Sequence, residues 1–260
     1  MNQEELSEIL RLHKLWLILS LEGIRANLEE ADLHGVNLEG ADLERANFQG
    51  ADLEGANLKR AYLKGADLYR ANLQEADLEG ANLEGVDLQV ANLQGVNLYG
   101  ADLRGADLSG ADLERAYLQV ANLREGLLQG VDLHGADLHG ANLEGADLEG
   151  ANLRGADLQE VNLKGADLCE ADLERAYLYG VNFYEAKLQG VDLRGVNLKG
   201  VDLRGANLKN AYLERANLRG AKLEGADLRG ANLEGADLQG ANINEAILEG
   251  DNMNRNKANT

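Results

Sequence analysis

The chain has no proline, a single cysteine and almost no hydroxyl side chains, and each shortage narrows what it can be. Across 260 residues no backbone N–H is given up to a proline ring, which suits a structure that uses nearly every main-chain donor. Cys169 alone cannot form an internal disulfide, so nothing indicates an oxidising compartment, and a cytoplasmic location is expected. Serine occurs only at Ser7, Ser20 and Ser109, threonine only at Thr260, and there is no GxxxxGK(S/T) run and no CxxC pair. Aromatic residues make up only 4%, so leucine and alanine must fill the interior, in a column too narrow for large rings. Cations are also short, 25 Lys and Arg against 45 Asp and Glu, a net charge of −20 that argues against direct binding to nucleic acid or an anionic membrane.

What the chain does have is one phrase of five residues, plainest in ANLEGADLEGANLRGADL from Ala141 to Leu158. It keeps strict phase from Ala26 to Gly250, 45 copies with no insertion or deletion. With the positions numbered −2 to +2, as in Ala31, Asp32, Leu33, His34 and Gly35, position 0 is Leu almost throughout, with Phe48, Phe183 and Ile243 as conservative exceptions. Position −2 is Ala or Val, the valines being Val36, Val86, Val96, Val131, Val161, Val181, Val191, Val196 and Val201. A helix cannot use this period, because successive leucines would smear around the cylinder. A long strand fails too, since an odd repeat turns every second Leu to the opposite face. The chain must turn once per repeat, so that each −2/0 pair points to a common axis. Gly fills +2 in 29 of the 45 copies, as the positive φ at the third residue of a type II turn favours. Short extended segments joined by such turns stack about 4.8 Å apart into a solenoid.

The motif A(D/N)LXX, matched in nearly every copy from Ala26 to Gly250, resembles that of the pentapeptide-repeat proteins. The resemblance implies an all-β solenoid, a right-handed quadrilateral β-helix with four pentapeptides per coil, hence about 11 coils and a rod of roughly 55 Å. Periodicity alone does not give the number four.

Three segments are expected: residues 1–25 as a helix and lead-in, 26–250 as the β-helix, and 251–260 as a polar tail. Leu6, Ile9, Leu10, His13, Trp16 and Leu17 fall at helical spacing, with Glu4, Glu5 and Glu8 near the start and Gly23 beyond the end, so a helix is predicted over at least residues 3–15. Trp16, Ile18 and Leu21 already match the −2/0 phase, leaving an extended lead-in as the competing reading for the remainder. The acidic start does not read as a signal peptide, and Arg11, His13 and Lys14 interrupt any membrane span. The helix reads as an N-terminal cap over the open end of the leucine column, a docking helix being the sharper alternative. No second helix follows the repeats. Ile243, Ile247, Leu248 and Met253 would then form an uncovered apolar edge, which a tail-to-tail homodimer would hide, as in some members of the family the chain resembles.

No catalytic constellation is visible, and no cofactor or metal is expected. His134 and His139 are one repeat apart, on adjacent faces; His34 and His134 share a face five coils apart. Cys169 at +1 reads as a free surface thiol. In ANLREGLLQG, Gly126 takes a −2 position and Leu127 a −1 position, which predicts an exposed leucine and a local gap or a slight twist.

With a coil of 20 residues the outward positions form columns. One +1 column, running from Glu44, Lys64 and Glu84 to Arg204 and Glu224, often alternates in charge and reads as a neutralising ladder. Another column differs: Asp67, Asp87, Asp107, Asp147 and Asp167 stand at −1 with few cations nearby, and Asp112, Asp132, Asp172 and Asp192 occupy the adjoining face. Carboxylates about 4.8 Å apart repel by about 0.9 kcal/mol at bulk-water dielectric, which Asn would avoid. These nine aspartates are the candidate interaction surface of a non-catalytic protein-binding scaffold with an unidentified protein partner. The alternative is an acidic DNA mimic, since members of the similar family protect DNA gyrase from quinolones or toxins. Those that carry loops project them from the coils, whereas this chain has no insertion.

Overall fold

The computed structural model describes residues 1–19 and 22–248. Within them one α-helix, α1 (Gln3–Leu19), precedes the repeats. The Asn2 side chain accepts the Glu5 N–H at 2.9 Å while the Glu5 carboxylate accepts the Asn2 N–H at 3.2 Å, a capping box that fixes the first turn. Helical spacing outlasts the repeat phase here. Trp16 stays helical and stacks on His13 one turn back, ring centroids 5.5 Å apart. Ile18 is helical too and 66% exposed, not inward as the repeat phase would place it. Leu21, Met253 and the tail from 251 lie outside the described residues.

After α1 the chain doubles back against it. A Cβ on Gly23 would lie 1.9 Å from the Trp16 backbone nitrogen, so only glycine fits. Ile24 N–H then donates to the Leu12 carbonyl at 3.1 Å, and Ala26 N–H donates to His13 Nδ1 at 3.0 Å. Leu28, Leu33, Leu38 and Leu43, the inward residues of the first turn of the solenoid, are buried although no coil precedes them, because α1 lies across that end with Leu6 buried and Ile9 and Leu10 against the core.

His13 is fully buried, and its pKa is lowered chiefly by that burial, with Arg25 adding to the effect and Asp42 and the Glu44 carbonyl opposing it. In the neutral ring Nδ1 is free to accept; a second proton would set two donors against each other at Ala26. A depressed histidine leaves the cap fully stable above the ordinary pKa of about 6.5. That stability is lost as pH falls from there toward the lowered value. Trp16, the sole tryptophan, should therefore report a fluorescence change below about pH 6.5 that His13→Phe abolishes. A flat titration in the parent would contradict this.

From Asn27 on, every −1 residue bridges in parallel to one twenty positions away, as in Asn57 to Asp77 and Asn122 to Asn142, with one exception at 177 and 197, so one turn of the coil takes four pentapeptides. The repeat at 56–60 shows why the phrase has five members. Leu58 N–H donates to the Asp77 carbonyl at 2.7 Å, Arg60 N–H to the Glu79 carbonyl at 3.0 Å, and Asn57 N–H to the Val36 carbonyl at 2.9 Å. Ala56 N–H closes the turn onto the Leu53 carbonyl at 3.0 Å. The fifth donor, Lys59 N–H at +1, goes to the Asn57 side chain at 3.2 Å. All five amides are thus used, four by backbone and one by the −1 side chain, which leaves no place for proline. The same turn puts +2 at φ of 52° to 74° throughout, whether glycine or not. The −2 and 0 side chains form one continuous buried column from Ala26 to Leu233. Each fully buried leucine contributes about 1.5–3 kcal/mol.

Candidate interaction surface

The −1 carboxylates are part of this framework. Oδ1 of Asp67, Asp87, Asp107, Asp147 and Asp167 accepts the N–H two residues on, at 3.0–3.2 Å. Asp112, Asp132, Asp172 and Asp192 do the same with Glu114, His134, Glu174 and Arg194 at 2.9–3.1 Å. The second oxygen often meets the +1 side chain of the preceding coil, eighteen residues back. Gln89 donates to Asp107 at 2.8 Å, Gln129 to Asp147 at 2.6 Å and Gln94 to Asp112 at 2.6 Å, and Gln49 donates to Asp67. Where +1 is Glu, the diagonal partner is often Asn instead, as in Asn57 with Glu39 at 3.4 Å and Asn232 with Glu214 at 2.7 Å. The carboxylate thus has a structural use in the acidic columns that offsets part of its repulsion. An incoming amide N–H needs an acceptor, and the carboxylate supplies one while keeping its charge.

The nine aspartates do not form one uniform acid strip. Lys187 Nζ is 2.7 Å from Asp167, Arg154 is 3.2 Å from Asp172, and Arg194 pairs with Asp192. Burial pushes the Asp167 carboxyl up, but hydrogen bonds from Cys169 and Lys187 outweigh it and the pKa is lowered; the Arg194 hydrogen bond lowers that of Asp192. Asp67, Asp87, Asp107, Asp112, Asp132 and Asp147 have no ion pair among the described residues and form the acidic patch that remains. Between residues 187 and 229, Lys187, Arg194, Lys199, Arg204, Lys209, Arg215, Arg219, Lys222 and Arg229 outnumber Asp192, Asp202, Glu214, Glu224 and Asp227, and Glu234, Asp237, Glu245 and Glu249 bring the repeats beyond 186 to balance. The acid is therefore concentrated in the earlier coils, a polarity along the axis that reading column by column does not reveal. The alternating ladder is present, with Glu84 between Lys64 at 3.0 Å and Arg104 at 3.5 Å. Exposed pairs of this kind stabilise little.

Leu127 interrupts the patch. It is 42% exposed and keeps its place in the ladder, its N–H donating to the Ala106 carbonyl at 2.9 Å. No gap surrounds Gly126: a Cβ there would meet the Leu123 carbonyl oxygen at 3.0 Å and Leu128 Cδ1 at 3.2 Å, so the neighbours have closed in. What the site lacks is an oxygen for the Gln129 N–H. Leu127→Asn supplies it and should stabilise the protein by about 1 kcal/mol, read as a raised Tm; an unchanged or lower Tm would refute the role assigned to −1.

Cys169 is half-buried, not a surface thiol. It donates to Gln189 Oε1 at 3.0 Å, and burial, with the Asp167 carboxylate beside it, pushes the thiol up to about 11. Among the described residues no group of three or more His, Cys, Asp or Glu is placed to hold a metal ion, and no helix is long and apolar enough to cross a membrane. At the far end Ile243 and Ile247 are each 46% exposed and Leu248 is half-buried; among the described residues the column ends there without the cover that α1 gives the other end.

Parallel bridges at a constant offset around one buried column define a β-helix solenoid. The family model for pentapeptide repeats matches in 8 copies, with segments at 24–60, 51–89, 81–119, 116–155, 156–195, 196–235 and 211–250, and the chain belongs to that family. Among solved structures it is similar to trypsin-treated QnrB1, a plasmid-mediated fluoroquinolone resistance protein, at 18% identity over 70% of this chain and 92% of that one, with a TM-score of 0.60. That likeness concerns the fold, a right-handed β-helix with one N-terminal helix. HetL, a pentapeptide repeat protein involved in heterocyst differentiation regulation in Nostoc sp. strain PCC 7120, is 33% identical over 86% of this chain and 90% of its own, with a TM-score of 0.31. Rfr23 from Cyanothece 51142 is 43% identical over 36% of this chain and 58% of its own, with a TM-score of 0.30. No curated protein matches the sequence.

Proposed function

We propose that this protein is a non-catalytic scaffold, a rigid rod that presents an acidic surface to a protein partner. One observation carries the reading: Asp67, Asp87, Asp107, Asp112, Asp132 and Asp147 are held at one-coil spacing by backbone and glutamine donors, with no cation paired to them among the described residues. The framework fixes the positions of the charges before any partner arrives, so binding need not order them. A basic protein surface complements such a patch, whereas nucleic acid and anionic membrane are repelled. The rod is inferred to be four-sided, with about 11 coils at the strand spacing, and divided into a cap at 1–25, repeats at 26–250 and a tail at 251–260. A cytoplasmic location follows from the single unpaired cysteine. Ile243, Ile247 and Leu248, with Met253, are proposed as the edge of a tail-to-tail homodimer.

A second reading makes the same patch an imitation of duplex phosphates for an enzyme such as DNA gyrase. It is favoured by the regular charge spacing, while the charge-balanced coils beyond residue 186 shorten the stretch that could take part. The test uses the parent rod and a variant with these six aspartates changed to Asn. A protein captured by the parent and not by the variant supports the scaffold; identical capture by both sinks the acidic surface as the binding site. In a gyrase supercoiling assay, inhibition or quinolone protection by the parent alone would favour mimicry, and no effect at micromolar protein would remove it.

A further inference from the structure

We propose that the rod is articulated at one place, between the successive coils that carry residues 171–185 and 191–205. Everywhere else among the described residues the ladder between coils is unbroken. Here, on two faces, the amides of Leu173, Arg175, Leu178 and Gly180 make no hydrogen bond to the next coil, and those of Asp192, Asn197 and Asp202 make none to the coil before. On the following face Phe183 and Glu185 still reach the Asp202 and Arg204 carbonyls at 2.8 and 3.0 Å, and the bridges 172–192 and 182–202 persist as the joining side. The bridge between positions 177 and 197 is missing from an otherwise regular series. The interior opens at the same level: Ala176 is 8% and Val196 4% exposed, in a column whose neighbours are almost completely covered.

The cause is accumulated volume. Val161, Val181 and Val201 stack in one −2 column, Val191, Val196 and Val201 follow one another around a single coil, and Phe183 stands at position 0 among them. Branched side chains at −2 lengthen the turn beside them. The Val181 and Val191 amides reach their turn carbonyls at 3.4 Å, whereas Ala56 and Ala61 do so at 3.0 Å. Isolated bulk is tolerated. Phe48 sits among Ala41, Ala46, Ala51 and Ala56, and the bonds around it, Leu43 to Tyr62, Leu53 to Asn72 and Asp67 to Ala46, are all made; Leu133, beside the lone Val131, bonds the Asn152 carbonyl at 2.8 Å. Overfilling a close-packed column forces backbone shifts, and two neighbouring coils that must both expand separate along their shared edge. The opening also falls where the acidic coils give way to charge-balanced ones, so the joint lets two stretches of different charge move relative to each other.

Amide exchange measured residue by residue tests this in the intact protein. Leu173, Leu178 and Asn197 should exchange about 100-fold faster than Leu153, Leu158 and Tyr177, their equivalents one coil earlier. Val191→Ala/Val196→Ala/Val201→Ala, which restores the residue found at −2 in most repeats, should slow them to the rates of their neighbours, and Phe183→Leu should do so in part. Spin labels on Glu114→Cys and Glu234→Cys, in a Cys169→Ser background, should give a broad distance distribution that narrows in the triple-alanine variant. Equal protection on both sides of the joint in the parent would overturn the proposal. Fast exchange that persists in both the triple-alanine and Phe183→Leu variants would overturn its packing origin.

Discussion

Leu148→Asp is expected to unfold or fray the middle coils. Leu148 is buried in the column, its N–H bonded to the Asp167 carbonyl at 2.6 Å, and among the described residues no Lys or Arg lines the interior to meet a carboxylate. An unpaired charge placed there, with the packing of the leucine side chain removed as well, costs more than about 4 kcal/mol. A domain is stabilised by only about 5–15 kcal/mol in all. In a solenoid the damage need not spread evenly, because each coil contacts only its neighbours. Circular dichroism melts should show either loss of the folded state or an early transition. A melt matching the parent would remove the inward assignment of position 0.

Removal of residues 1–19 is the second large effect. It uncovers Leu28, Leu33, Leu38 and Leu43 together and leaves the first coil with an unprotected edge. Burial of each of these leucines is worth about 1.5–3 kcal/mol, and an open apolar edge recruits other chains. The truncated protein should leave solution or elute as an oligomer, while the parent's N-terminal end stays covered. Gly23→Val should act in the same direction through the Cβ contact with Trp16. A truncated chain with the parent's hydrodynamic size and Tm would show that α1 is not the cap.

Much of this architecture is legible in the chain itself. The five-residue phase dictates which residues point inward, and glycine at +2 announces a left-handed turn position that Glu30, Arg45 and Val90 then occupy as well. The coil length is not legible, because a period of five says nothing about how many turns close a circuit; the bridges at an offset of twenty supply it. Once the offset is known, the diagonal pairs such as Gln129 with Asp147 follow, and so does the preference for Asp over Asn where glutamine precedes by eighteen. The bond from −1 to the N–H at +1 is within reach of sequence reasoning, since Asp and Asn habitually accept from the backbone two residues on. Beyond residue 15 the helix prevails over the extended lead-in because His13 and Trp16 pack as a helical pair, a preference that competes with the repeat phase. The joint at Phe183 and Val191 is invisible one residue at a time, for each substitution is mild and only their sum overfills a coil.

Every column named above depends on side chains stacking at intervals of twenty. Paired cysteines test that most directly, in a Cys169→Ser background. Asn122→Cys with Asn142→Cys replaces a bridged pair whose side chains already touch at 3.4 Å, so oxidation should close an intramolecular disulfide quantitatively. Asn122→Cys with Asp137→Cys, fifteen apart, should stay reduced. Closure of the second pair and not the first would contradict the twenty-residue coil, and with it the acidic columns, the diagonal bonds and the joint.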